Sequence, residues 1–265
     1  NKFIDVSNEA GITRDVAYGL SVSASDFNND GWTDLYIAND YAEPDFMYYN
    51  NGDGTFTNVI NEKLKHITNL SMGTDTGDIN NDGFIDLFTT DMTPEDHYRS
   101  KTNMASMSTS AFNTMVEAGA HYQYMANALQ INTGLGSFSD IANMAGISNT
   151  DWSWSPLIAD FDNDGDLDLV VNNVNDKSFI YENKSNQDST ARSVAVTLKG
   201  SAVNINAIGA KLILFTPGEI RTYEKFPVKG FLSSMEIPLS IGLKNTKVDS
   251  AFLVWPDNSF QQINP

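Results

Sequence analysis

Three stretches of nine residues concentrate oxygen-bearing side chains at fixed spacing: Asp26-Phe-Asn-Asn-Asp-Gly-Trp-Thr-Asp34, Asp78-Ile-Asn-Asn-Asp-Gly-Phe-Ile-Asp86 and Asp160-Phe-Asp-Asn-Asp-Gly-Asp-Leu-Asp168. Positions 1, 3, 5 and 9 offer Asp26, Asn28, Asp30 and Asp34 in the first, Asp78, Asn80, Asp82 and Asp86 in the second, and Asp160, Asp162, Asp164 and Asp168 in the third. Position 7 adds a main-chain carbonyl from Trp32, Phe84 or Asp166. Hard divalent cations of calcium's size take six to eight oxygens in flexible geometry, and every ligand on offer here is oxygen. Position 6 is Gly in each copy, where a tight turn needs a residue without a Cβ. Without a cation, carboxylates crowded into one loop repel one another, so the pattern predicts three Ca2+ ions. An EF-hand would place a bidentate Glu at position 12 between helices, whereas position 12 is Ile37, Thr89 and Val171. Plain Asp/Asn/Gly hairpin turns would explain one copy, but not three in register.

The elements around the loops repeat as well. Each loop runs into a short apolar stretch rich in β-branched or aromatic residues, Leu35–Ala38, Leu87–Thr90 and Leu169–Val171, which reads as a strand. Phe3–Val6, Phe56–Val59 and Phe138–Ile141 recur upstream, and Asn50–Thr55 and Asn132–Gly136 supply hairpin turns. A repeated four-stranded antiparallel unit of about 50 residues is a β-propeller blade, and three blades make a partial propeller. Loop starts at 26, 78 and 160 show that the second unit carries an insertion, placed at 93–125. It includes Met104, Met107, Met115 and Met125 and a helical run from Ser110 to Ala118 stopped by Gly119. Those methionines either pack on neighbouring blades or form a cap that binds a ligand or partner.

Composition agrees with these units. The 265 residues hold 25 Asp against 9 Glu, with 29 Asn, a net charge of -18 and no Cys. Residues 1–190 carry 29 acids and 8 bases, and residues 191–265 carry 5 and 8, which predicts an acidic repeat domain followed by a second, mildly basic one docked on it by charge. The balance excludes nucleic-acid binding, and the lack of Cys excludes disulfides and thiolate sites. No transmembrane segment is present, and the first residues have neither an initiator Met nor a leader-like apolar run, as in a processed or excised chain. The last domain reads as strands at Ser193–Leu198, Lys211–Phe215, Arg221–Pro227, Met235–Ile237 and Ala251–Trp255.

The repeated D-x-[ND]-x-D-G-x-x-D loops resemble FG-GAP/VCBS repeats, the calcium-bearing blades also known from integrin α-subunits. Asn206-Ala-Ile-Gly-Ala-Lys211, Pro227–Ser234, Ile241-Gly-Leu243 and Val254-Trp-Pro-Asp257 are similar to the ASPIC/UnbV domain of bacterial exported proteins and the cartilage acidic protein-like family. Thr90–Asp96 and Asn149–Ser155 resemble its Bacteroidetes branch. The resemblance implies an all-β protein: propeller-type blades at 1–190 and a small β-rich domain at 191–265. Family propellers have about seven blades, so the partner of this piece includes, on that basis, the remaining blades of a longer parent chain.

No catalytic motif appears: His66, His97 and His121 are far apart, and G-x-S-x-G, P-loop and H-E-x-x-H are absent. Asp91, Glu95, Asp96 and His97 form either a fourth metal site or a solvated turn with a helix cap. Trp152 and Trp154, taken as alternating on one strand, face the same side, either stacked on sugar or packed between blades. The expectation is therefore a non-enzymatic, extracytoplasmic, calcium-stabilised module that binds a protein or glycan partner. The alternative is a carbohydrate-binding accessory or a carbohydrate-active enzyme using the propeller face. Ten of the acids sit at ligand positions, and three ions would bring the charge from -18 to about -12.

Overall fold

The computed structural model describes residues 2–12, 17–41, 43–102, 108–187 and 192–264. Three sheets follow one another in the first part of the chain. The first is a four-stranded antiparallel meander of β1 (Tyr18–Ser25), β2 (Asp34–Asp40), β3 (Phe46–Asn50) and β4 (Phe56–Asn58). A turn of helix, α1 (Ile60–Lys63), leads to β5 (Ile67–Thr68) and then to the second sheet. That sheet starts with β6 (Thr74–Gly77) and β7 (Asp86–Thr89). Helices α2 (His97–Thr102) and α3 (Thr109–Glu117) and strand β8 (Gln123–Tyr124), paired in parallel with β5, interrupt it. It is completed by β9 (Ala128–Asn132) and β10 (Phe138–Asp140) in the order β10-β9-β7-β6. After α4 (Ala142–Ala145) comes the third sheet, β11 (Ser153–Ala159), β12 (Asp168–Asn173) and β13 (Phe179–Tyr181).

The chain is all-β in architecture, and among the described residues no sheet closes on itself. The first strand of each sheet lies at the inner edge beside its neighbour, as blades require. Ser21 and Thr74 hydroxyls meet at 2.8 Å, Ser25 and Thr76 at 3.0 Å, and Ile158 N donates to Asp75 Oδ2 at 2.8 Å. Gly73 makes the closest approach possible: a Cβ there would overlap the Trp154 carbonyl. Phe56 and Phe138 open strands that finish a blade instead of starting the next, while Phe3–Val6 is exposed and outside any strand. The shared upstream element is therefore an outer strand, because the hairpin turns at Asn50 and Asn132 join it to the strand before it.

The remaining strands form the C-terminal domain: β14 (Ser193–Val196), β15 (Lys211–Thr216), β16 (Glu219–Glu224), β17 (Val228–Lys229), β18 (Ser233–Ser234), β19 (Leu239–Gly242), β20 (Ser250–Val254) and β21 (Phe260–Ile263). Its main sheet runs β16-β15-β20-β21, with β14-β19 and β17-β18 as two-stranded pairs. Met235–Ile237, expected as a strand, connects β18 to β19 instead. Leu212, Leu214, Tyr223, Ile241 and Ala251 of this domain join Phe27, Tyr36, Met47, Ile85 and Leu87 in one buried apolar cluster. A second cluster, with Phe88, Leu129, Ile158, Leu167 and Val171, seals the second blade to the third. The expected boundary at 190/191 and Met104 and Met107 lie outside the described residues.

Candidate functional site

Each nine-residue loop joins the first two strands of a blade: position 1 follows the last residue of β1, β6 or β11, and position 9 opens β2, β7 or β12. The three loops are held by the same hydrogen bonds. At position 1, Asp26 accepts from Asp30 N (3.1 Å) and Gly31 N (2.9 Å), Asp78 from Asp82 N (2.9 Å) and Gly83 N (2.7 Å), and Asp160 from Asp164 N (3.1 Å) and Gly165 N (3.2 Å). Position 3 oxygens of Asn28, Asn80 and Asp162 also accept from the position 5 amide, each at 3.1 Å. Asp30, Asp82 and Asp164 accept from the amide two residues on, at 2.8, 3.0 and 3.2 Å. Gly31, Gly83 and Gly165 have φ of 93°, 91° and 96°, the left-handed backbone that lets the loop fold its side chains inward.

Position 9 closes the loop and ties it to the blade. Asp34 accepts from Phe27 N (3.0 Å) and Asn50 N (2.8 Å), Asp86 from Ile79 N (2.9 Å) and Asn132 N (2.8 Å), and Asp168 from Phe161 N (3.0 Å) and Asn183 N (2.8 Å). Positions 1 and 9 are buried in the first two loops, whereas Asn28 and Asp30 stand exposed at the mouth of the first. Burial pushes the carboxyls of Asp26, Asp34 and Asp78 up to about 7 and that of Asp86 well above the usual carboxylate range. Among the described residues, no Lys or Arg forms an ion pair with any of these four. In the third loop, carboxylate oxygens of Asp160, Asp162 and Asp168 converge within 4.8 Å of one another. This is the one such cluster among the described residues; it leaves out Asp164 at position 5, and the first two loops have Asn in place of the position 3 carboxylate.

At position 7, Trp32 and Phe84 turn away from the ligand side, whereas the Asp166 carboxyl lies beside that of Asp164. Trp32 lies on Gly52 and Phe84 on Gly134, each covering the hairpin turn of its own blade. Asp166 is fully buried and accepts from Asn186 N at 3.0 Å.

Two sets of asparagines are not singled out by ligand reasoning. Asn29, Asn81 and Asn163, at position 4, all have positive φ (55°, 56° and 63°), a conformation Asn tolerates better than most residues. Asn29 Nδ2 donates to Gly83 O at 3.3 Å and Asn81 Nδ2 to Gly165 O at 3.2 Å, linking each loop to the next. Asn132 and Asn183 donate to Phe27 O (2.7 Å) and Ile79 O (2.8 Å) of the preceding loop. The signal was the invariance of Asn at position 4 across three copies and, for Asn132, its place at the head of a hairpin turn.

The other candidates separate. Asp96 caps α2 through Arg99 N at 2.8 Å, while Asp91 is buried and accepts from Asn69 N and Leu70 N, so this group forms no metal cluster. Trp152 precedes β11, and the register shifts between Ser153 and Ser155, which breaks the expected alternation of the two indoles. Trp154 packs on Phe231 at 5.0 Å. Neither α2 nor α3 buries a residue; Met115, Met125 and Phe112 line a shallow cavity of about 300 Å3 under α3. His66 pairs with Asp140 at 2.9 Å and His121 meets the Leu64 carbonyl at 3.2 Å.

Comparison with known proteins agrees with this architecture. The FG-GAP-like repeat description matches residues 26–89 and 118–171, and the ASPIC and UnbV description matches 200–265. The chain thus contains FG-GAP-like repeats followed by an ASPIC and UnbV domain, a combination that suggests a β-propeller-like binding or adhesion module. It is similar to "Cartilage acidic protein 1" of Xenopus tropicalis, 24% identical over 264 residues, 96% of this chain and 36% of the relative's length. No helix among the described residues is long and apolar enough to cross a membrane.

Proposed function

We propose that the three loops bind Ca2+ and that the protein is an extracytoplasmic, non-enzymatic binding module whose blades are fixed by those ions. One observation carries the reading: the same all-oxygen arrangement, held by the same backbone hydrogen bonds, occurs three times, and among the described residues no Lys or Arg forms an ion pair with Asp26, Asp34, Asp78 or Asp86. Asp26, Asn28, Asp30 and Asp34, with their counterparts in the other two loops, are the residues that would hold the ion. Asx-type hydrogen bonds already aim the side chains, so little ordering remains to be done on binding. A bound divalent cation supplies the positive charge that four crowded oxygens lack. Positions 3 and 5, exposed in the first and third loops and half-buried in the second, give it a path from solvent, while position 9, buried in all three, connects it to the blade core.

Calcium at extracellular, millimolar levels suits structural sites of this kind, which supports a location outside the cytoplasm. The best-placed carboxylates are committed to the loops, which supports a binding role over acid–base catalysis. Trp154 is covered by Phe231, which speaks against its use as a sugar platform. Thermal unfolding tests the reading: excess chelator lowers the melting temperature and Ca2+ restores it, since binding free energy adds to folding free energy. A chain that binds no Ca2+ by calorimetry and melts identically in chelator would refute it.

A further inference from the structure

The C-terminal domain packs directly on the loops, reaching the position 1 carboxylate of the second. Asn29 O accepts from Ile220 N at 3.3 Å and Gly31 O from Thr222 Oγ1 at 3.3 Å, both through β16. Gly165 O of the third loop accepts from Ser193 Oγ on β14. In the second loop the approach is tighter. Arg221, 3% exposed and held by Glu219, lies 5.4 Å from the Phe84 ring and fills the space where a side chain on Gly83 would stand. Gly242, at the end of β19, touches the loop so closely that a Cβ would overlap Asp78 Oδ2 and crowd the Asn81 backbone. Asp78 is the position 1 ligand. The carbonyls of Gly83 and Gly165 also receive the amides of Asn29 and Asn81, so the loops are joined to one another as well as to the domain.

These contacts require the loop conformation that presents the ligands. The carbonyls of positions 4 and 6 point outward because position 4 is left-handed and position 6 is Gly, the same turns that bring positions 1, 3 and 5 together. A loop whose carboxylates spread apart loses both sets of partners at once. We infer that cation occupancy of the three loops and docking of the C-terminal domain are one linked equilibrium, with Gly242, Thr222 and Ser193 acting as positioning residues that hold the loops in their ligating form. This rests on the cation reading above. Linkage is reciprocal: if ions favour docking, docking contacts must raise ion affinity, although none of these three residues is a ligand.

The test is a Ca2+ titration of the full chain, by calorimetry, with hydrogen exchange read in parallel. Gly242→Ala is expected to weaken Ca2+ binding at one site about tenfold, toward the lower end of the effects found between coupled sites, and Thr222→Val and Ser193→Ala, which each remove a single hydrogen bond, about threefold each. Chelation is expected to raise exchange in β16 and β19, which hold no ligand, and Ca2+ to suppress it. Should Gly242→Ala fail to fold, the other two variants decide. If the unaltered chain binds Ca2+ but all folded variants stay within twofold of it, and exchange in β16 and β19 ignores chelator, the coupling is overturned. If the unaltered chain binds no Ca2+, the cation reading fails first and the coupling with it.

Discussion

Position 9 of each loop does more than complete a ligand set. Asp34 spends one oxygen on Phe27 N and the other on Asn50 N, so it clamps the loop to the third strand whether or not an ion is present. Asp34→Ala is expected to destabilise the chelated protein by about 3 kcal/mol, because two backbone amides lose their acceptor. Urea unfolding in excess chelator measures this apart from any effect of Ca2+. Two other buried carboxyls make stability depend on pH. Asp45 accepts from Tyr36 Oη and Ser71 Oγ, and Asp91 from three backbone amides; both are fully buried, and burial pushes both carboxyls up to about 7. Their folded values lie above the unfolded 3.8, so between about pH 4 and 7 the folded state holds protons that the unfolded chain has released. Stability in chelator therefore falls as pH rises through that window, by at most about 1.4 kcal/mol per pH unit for each group. A chelated melting temperature that climbs from pH 5 to pH 7 would show these carboxyls ionised instead.

At the scale of the element, the inner strands must lie almost in contact for the blades to stack, and Gly73, immediately before β6, packs directly on the backbone of β11. Gly73→Ala forces a methyl against the Trp154 carbonyl and Pro156, neither of which can move without shifting β11. Its expected cost is about 3 kcal/mol, at the upper end for overpacking, read as a lowered denaturation midpoint. The insertion is the opposite case. Phe112 on α3 stacks on Tyr124 at 5.5 Å but stays half-buried, whereas Phe88 on β7 is fully buried. Phe112→Ala is expected to cost about 1 kcal/mol and Phe88→Ala about 4 kcal/mol; similar losses at both would mean that α3 carries part of the core. Hydrophobic spacing locates α3 to within a residue at each end, since a helix periodicity survives on a surface. It does not reveal that β4 and β10 close the blades before them, because strand order within a sheet is set by partners distant in sequence.

At the scale of the molecule, docking rests on burial more than on net charge. The mild positive charge of the C-terminal domain is largely spent within it, Lys211 on Glu224, Lys225 on Glu236 and Lys247 on Asp249. Among the described residues one lysine pairs across: Lys229 reaches Asp75 at 3.0 Å in the wall of a cavity of about 340 Å3 between the domain and the inner strands. Lys229→Ala leaves Asp75 buried without its partner and is expected to destabilise the protein by about 3 to 5 kcal/mol, measured by chemical unfolding. The wild-type contact should respond weakly to added salt, since a buried pair is screened little. Strong loss of docking at moderate ionic strength would restore the long-range charge attraction that composition suggested.

The sequence by itself determined the three loops, their glycines, the strands that follow them and the all-β class, because these depend on residues within nine positions of one another. Turn chemistry and alternation are local, and local rules repeat faithfully in three copies. Only the tertiary structure decided how the loops are used together. Asn29 and Gly83, Asn132 and Phe27, Gly242 and Asp78 meet across separations that no pattern in the chain encodes. Which blade a strand completes, which carbonyl an asparagine finds and which face of a loop a second domain covers follow from the packing of inner edges around a shared core, and that packing exists only when every blade is in place.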